Sequence, residues 1–253
     1  MSKPKIAISL DDSLLKIVDS KVDGSVIRSR SQAIEFFLKK GLLEQSVNCA
    51  VVMIKAEHQK YALKQFGDIS LIRKQIGFFL QHGIKNVYII TQHTSCINDL
   101  LHEISRNASG IRAEIVMAKA RGNADALKSV KDKIIGGSFV VMSGDTYNNF
   151  DLAKMIKKHL QSGKIATMGL MTREKIATYG TAILDGDLIV DFQEKPKQSS
   201  TNIVNAGIYI FNPEIFELLD DAASLEKDIF PKLAKIKQLI GFFTYGEYFH
   251  FGN

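Results

Sequence analysis

The sequence predicts an α/β protein in two parts. A small strand–helix–helix module stands at the N-terminus, followed by a doubly wound, mixed but mostly parallel sheet with helices on both faces. Three observations carry this. Lys5-Ile6-Ala7-Ile8-Ser9-Leu10 alternates polar and apolar with period two, the mark of a half-buried strand. From Asn48 onward, short continuous apolar runs alternate with amphipathic segments, as buried parallel strands and their covering helices do. The 253 residues, 45% hydrophobic and 24% charged, suffice for one large domain, or a large one beside a small one, with a real core.

The elements follow in order. Asp11-Asp12-Ser13 supplies N-cap chemistry for a first helix carrying Leu14, Leu15, Ile17, Val18 and Val22, ended by Gly24. Ser29-Arg30-Ser31 opens a second helix with Ala33, Ile34, Phe37, Leu38 and Leu42 as its apolar stripe. A short linker at Gln45–Asn48 separates residues 1–46 from 47–253. Strands are then expected at 50–54, 86–90, 113–117, 138–142 and 166–170. Helices are expected at 71–82, 97–105, 123–133 and 152–160. Hairpin-like strands at 180–192, around Asp185-Gly186-Asp187, and at 203–211 close a mixed region.

Composition excludes several classes. No apolar run approaches ~18 residues, so no membrane span is expected. The first residues carry no apolar core or small-residue cleavage site, which reads as a cytoplasmic protein. Two cysteines, Cys49 and Cys96, cannot form a disulfide framework or a zinc ribbon. A net charge of +6 permits phosphorylated ligands or nucleic acid without demanding either.

The N-terminal pattern, over about Lys3 to Leu43, resembles the ribbon-helix-helix (CopG/Arc-like) DNA-binding family. That resemblance implies a homodimer, or a higher homo-oligomer, whose paired strands enter the major groove of double-stranded DNA. Lys5, Ala7 and Ser9 would face the bases, with Ile6, Ile8 and Leu10 in the core. Ser29, Arg30 and Ser31 would set the second helix's N-terminus against a phosphate. Ala7 offers no hydrogen bond, so direct readout would rest on Lys5 and Ser9. Eight basic and six acidic residues in 1–46 leave only +2 for the purpose.

A second ordered set spans the rest of the chain. It comprises Gly122-Asn123-Ala124-Asp125-Ala126-Leu127, Ser143-Gly144-Asp145, Tyr179-Gly180, Glu194-Lys195-Pro196, Asn205-Ala206-Gly207 and Ser224-Leu225-Glu226-Lys227-Asp228-Ile229-Phe230-Pro231. This set resembles the sugar-phosphate nucleotidyltransferases, which join a sugar 1-phosphate to a nucleoside triphosphate. The resemblance implies a nucleotide-diphospho-sugar transferase-like fold. It implies a ligand site of Gly122, Asp145, Gly180, Glu194, Lys195, Asn205 and Gly207 for a sugar phosphate or nucleotide sugar. Asp145 would be the carboxylate for a magnesium ion.

The chain departs from that family where the reaction happens. Ile54–Phe66, after the first strand, holds no glycine and no arginine. Without glycine the backbone does not readily come close to a phosphate. Lys55, Lys60 and Lys64 read as a solvated helix face. His250 stands where the family has its second metal carboxylate, and reads as an ordinary packed or exposed histidine. The expectation is a DNA-binding transcriptional regulator whose larger part is a pseudoenzyme used for ligand sensing or assembly. It has no assigned catalytic residue and no cofactor, magnesium entering only if the protein is an enzyme. The alternatives are an active sugar-phosphate nucleotidyltransferase (NDP-sugar pyrophosphorylase) and a non-catalytic oligomerisation scaffold.

Overall fold

A computed structural model describes residues 7–22, 27–38, 47–106, 110–243 and 245–251, and residues 39–44 by their backbone alone. The first unit, Met1–Ser46, contains α1 (Asp12–Asp19) and α2 (Arg30–Glu44). Asp11 caps α1 by accepting the Leu14 N–H at 2.8 Å, as its short carboxylate allows. Ser29 does the same for α2 by accepting from Gln32 N. Val18 and Ala33 are buried where the two helices meet. Ala7–Leu10 has no regular structure, and the start of the expected strand lies outside the described residues. A strand needs a ladder partner, and among the described residues Ala7–Leu10 pairs with none.

The second unit, Val47–Asn253, opens with β1 (Val47–Met53), a 3₁₀ turn at Ala56–His58 and the short α3 (Gln59–Ala62). The two-residue strands β2 (Gln65–Phe66) and β3 (Ile69–Ser70) lead into α4 (Leu71–Gln81), and β4 (Asn86–Thr91), α5 (Ile97–Ser105) and β5 (Arg112–Met117) follow. α6 (Asn123–Leu127) runs into a 3₁₀ stretch at Lys128–Lys133, where a single helix was expected. Then come β6 (Ser138–Ser143), β7 (Thr146–Asn148), α7 (Leu152–Ser162), β8 (Ala166–Thr172) and the hairpin β9 (Gly180–Asp185)–β10 (Leu188–Glu194). β11 (Ile203–Phe211), a π-helical turn at Leu225–Ile229, α8 (Phe230–Lys235), β12 (Leu239–Phe243) and β13 (Tyr248–His250) complete the chain.

Nine strands form one sheet in the order β5-β4-β1-β6-β11-β8-β12-β10-β9. β5, β4, β1 and β6 are parallel, β11 runs against both its neighbours, and β12 is parallel to β8. The result is a mixed sheet. Alternate residues of each strand serve opposite faces. Val51, Val141, Tyr209 and Phe211 pack on one side with Leu127, Leu225 and Phe230. Val52, Val140, Ile208 and Ile210 pack on the other with Ile76, Phe79, Leu100 and Met155. Each such side chain removed from water stabilises the fold by ~1.5–3 kcal/mol. Among the described residues no helix is long and apolar enough to cross a membrane.

Candidate functional site

The parallel strands β1, β4, β5 and β6 all end at one edge of the sheet, where open α/β folds bind their ligands. A cleft of about 790 Å³ lies there. Its floor comes from the residues that follow those strand ends, Lys55, Gln92, Ala118 and Asp145 among them. The opposite wall comes from the β9–β10 hairpin, β11 and the π-helical turn, through Gly180, Glu194, Asn205 and Glu226.

Two buried amides brace the strand-end side of the cleft. Gln75, on α4, donates to Ser143 O at 2.9 Å and to Thr146 O at 2.6 Å, which fixes the turn carrying Gly144 and Asp145. Gln59 donates to Thr91 Oγ1 at 2.9 Å and Gln92 O at 2.6 Å, which seats the segment bearing His58 on the end of β4. β13 pairs antiparallel with β7, placing His250 opposite Thr146, and the Phe251 N–H donates to Asp145 O at 2.8 Å.

These three anchors bring His58, Asp145 and His250 together. His58 Nδ1 lies 2.8 Å from Asp145 Oδ2, and His250 Nε2 lies 3.5 Å from the same oxygen. Burial pushes the Asp145 carboxyl up. The His250 hydrogen bond and charge, with the charge of His58, outweigh it and hold the group below its ordinary value. On distance, His58 is the principal partner.

The resemblance to nucleotidyltransferases implies magnesium here, but magnesium takes a near-octahedral shell of oxygens. Asp145 is flanked by two imidazoles instead, so its surroundings do not fit that ion. Among the described residues, no three His, Cys, Asp or Glu side chains are grouped to hold a metal.

The wall opposite the strand ends is a lock between two loops. Asn123 Nδ2 donates to both Glu226 oxygens, at 3.0 and 2.8 Å, while Leu225 N donates to Asn123 Oδ1 at 2.8 Å. Ala124 N reaches Ala223 O at 3.1 Å. The backbones come so close that a Cβ on Gly122 would stand 2.3 Å from Ala223 O. Asn205 donates to the buried Tyr209 hydroxyl at 2.7 Å and accepts from Gly207 N at 2.9 Å, an arrangement that needs the left-handed φ of +69° at Gly207. Burial, then the charge of Glu226, raises the Glu194 carboxyl above its ordinary value. Lys195 follows with φ +46°, a conformation that costs a non-glycine residue ~1–3 kcal/mol and marks strain at a site.

All seven residues expected to bind a ligand line this cleft: Gly122, Asp145, Gly180, Glu194, Lys195, Asn205 and Gly207. Lys55 lines it too, whereas Lys60 lies over the Tyr61 ring and Lys64 over Phe251. His250, expected to be an ordinary histidine, faces Asp145. The sequence reading did not assign His58, Asn123, Tyr209 or Glu226 to the site. A position just past the end of β1 was the available signal for His58. Asn123 and Glu226 stand within motifs already singled out.

The residues expected to touch DNA are not gathered comparably. Lys5 lies outside the described residues, and Ala7, Ser9 and Ser31 are exposed. Ser29 is spent as a helix cap. Arg30 is held by Asp19 in a bidentate pair, at 2.5 and 2.8 Å.

A family model described as Nucleotidyl transferase matches residues 54–245. The UTP–glucose-1-phosphate uridylyltransferase of Synechocystis sp. is 35% identical over 191 residues, 65% of this chain and 48% of that protein. The mannose-1-phosphate guanylyltransferase catalytic subunit beta of Drosophila pseudoobscura pseudoobscura is 27% identical over 185 residues, 70% and 49% of the two chains. The chain thus spans about half the length of these relatives. Among solved structures, a UDP-glucose pyrophosphorylase complexed with UDP-glucose matches with a TM-score of 0.65 at 17% identity, over 82% of this chain and 94% of that one. HddC from Yersinia pseudotuberculosis matches with a TM-score of 0.63 at 22% identity, over 81% and 93%. At these identities the structural matches establish the fold.

These matches overturn the expectation of a DNA-binding transcriptional regulator carrying a pseudoenzyme. The relatives are named as sugar-phosphate nucleotidyltransferases, and the Arg30 guanidinium meant for a DNA phosphate already has a carboxylate partner.

Proposed function

The chain belongs to the nucleotidyl transferase family, and from that premise we propose that its cleft joins a sugar 1-phosphate to a nucleoside triphosphate. An oxygen of the sugar phosphate attacks the α-phosphorus, the bond from that phosphorus to the β-phosphate bridging oxygen breaks, and pyrophosphate leaves. One observation carries the reading: seven residues scattered from 122 to 207, expected to act together, line one cleft at the ends of the parallel strands.

The division of labour follows from chemistry. Glu194, Asn205 and Glu226 offer acceptors and donors suited to sugar hydroxyls. Lys55, Arg121, Lys195 and Lys227 line the same cleft and offset phosphate charge, which otherwise keeps two anionic reactants apart. Holding both reactants in line turns a two-body encounter into a positioned one. A pyrophosphate-release assay over glucose 1-phosphate and mannose 1-phosphate with each nucleoside triphosphate tests this. Turnover is expected with at least one pair, lowered ~10²-fold or more by Lys195→Ala. No turnover with any pair refutes the reading.

We also propose that the first unit pairs two copies. Ile17 of α1 and Leu38 of α2 are 55% and 50% exposed, and Ile8, Leu14 and Phe36 of the same unit are exposed as well, apolar surface that a second copy would cover. Sedimentation should show a dimer at micromolar concentration, and a monomer refutes it.

A further inference from the structure

We propose that the His58–Asp145–His250 cluster takes the place of a divalent cation in this cleft, so that side-chain cations alone hold the phosphate-bearing ligand. The proposal rests on the reading that the cleft takes a nucleotide sugar or its precursors.

The donor chemistry comes first. Asp145 Oδ2 receives two ring nitrogens, at 2.8 and 3.5 Å. A carboxylate only accepts, so each nitrogen facing it carries a hydrogen. A ring nitrogen bearing a hydrogen has no lone pair left for a metal. Both contacts fall on one carboxylate oxygen, Oδ2.

The surroundings agree. A metal-ligating histidine nearly always donates its other ring N–H to a carbonyl, carboxylate or water, which sets the ring's orientation. The Nδ1 of His250 is buried and has no hydrogen-bond partner among the described residues. What orients His250 is backbone pairing between β13 and β7, and what orients His58 is the Gln59 anchor. Both rings are therefore placed by the fold without help from an ion. Meanwhile Lys55, Arg121, Lys195 and Lys227 supply positive charge around the same space. His58 and His250 act here as positioning residues for Asp145, each directing a ring nitrogen at its Oδ2.

The test uses the full chain. Mn²⁺ and Zn²⁺ are titrated by calorimetry, and UDP-glucose and GDP-mannose are then titrated in EDTA and in excess Mg²⁺. Neither metal should bind the protein, and the affinity for the nucleotide sugar should agree between the two buffers within ~3-fold. Tightening of ~10-fold or more with Mg²⁺, worth ~1.4 kcal/mol, overturns the proposal. So does metal binding that His250→Ala abolishes. His250→Asp sets a second carboxylate beside Asp145 and should create Mn²⁺ binding, and a folded variant that binds none counts against the argument. If neither nucleotide sugar binds in either buffer, the functional reading falls, while the metal titration of the unaltered chain still decides the role of the cluster.

Discussion

Gly122 is where two loops of the cleft wall meet, and Gly122→Ala measures how tightly they are locked. Its φ is −175°, extended backbone open to any residue, so the cost of a side chain there is purely steric. The new methyl would stand 2.3 Å from Ala223 O and 3.0 Å from Ala223 C. Both are backbone atoms, so no flexible side chain can swing aside. Forced overpacking of this kind costs ~1–3 kcal/mol. Moving the loops apart also strains the Ala124–Ala223 bond at 3.1 Å and the Leu225–Asn123 bond at 2.8 Å. Each is worth ~0.5–1.5 kcal/mol net. A loss of ~3 kcal/mol is expected, which lowers the Tm of a unit this size by ~6–12 °C. Gly77→Ala is the matched control. Gly77 sits inside α4 with no heavy atom within 4 Å of its added Cβ. It should gain ~0.5–1 kcal/mol from helix propensity. Thermal unfolding followed by circular dichroism reads both. A Gly122→Ala protein melting within ~2 °C of the parent would show that the loops are not in contact and refute the lock.

Two further outcomes follow from buried titratable groups. Burial holds the His159 imidazole below its ordinary value of 6.5, against the opposing pull of its Asn212 hydrogen bond. The unfolded chain therefore takes up this proton first as pH falls. The contribution is complete above pH 6.5 and declines below it, by at most ~1.4 kcal/mol per pH unit, until the native value is reached. Urea melts of the parent and His159→Gln from pH 7.5 to 5 should differ in slope only below that point, and parallel curves refute it. Burial also pushes the Cys49 thiol up to about 12, whereas Cys96 is partly exposed. A disulfide reagent at mild alkaline pH should modify one thiol in the native protein and both after unfolding; rapid native labelling of Cys49 refutes its burial.

Much of the fold was legible because its signals are local. Ala50–Ile54 and Phe139–Met142 are continuous apolar runs, as strands buried on both faces commonly are. Asp11 and Ser29 announced α1 and α2 through their capping oxygens. Other elements carried no such mark. Thr146–Asn148 and Tyr248–His250 are three-residue strands whose only reason to be extended is each other, 100 residues apart in sequence. Leu239–Phe243 is apolar enough for a strand, but its place between β8 and β10 is fixed by pairing with strands far from it in sequence.

The same division holds at the site. Sequence by itself marked Glu194, Lys195, Asn205 and Gly207 as candidates through the nucleotidyltransferase motifs they resemble, short runs that can be read without knowing the fold. It also led to a regulator of DNA, because an alternating strand and a capped helix are local patterns shared by modules of different use. Only the tertiary structure decided that His250 meets Asp145, that His58 joins them, and that Asn123 clasps Glu226. Those contacts join residues 87 to 105 positions apart, and side chains acquire such neighbours only when the sheet closes and the strand pairing sets who faces whom.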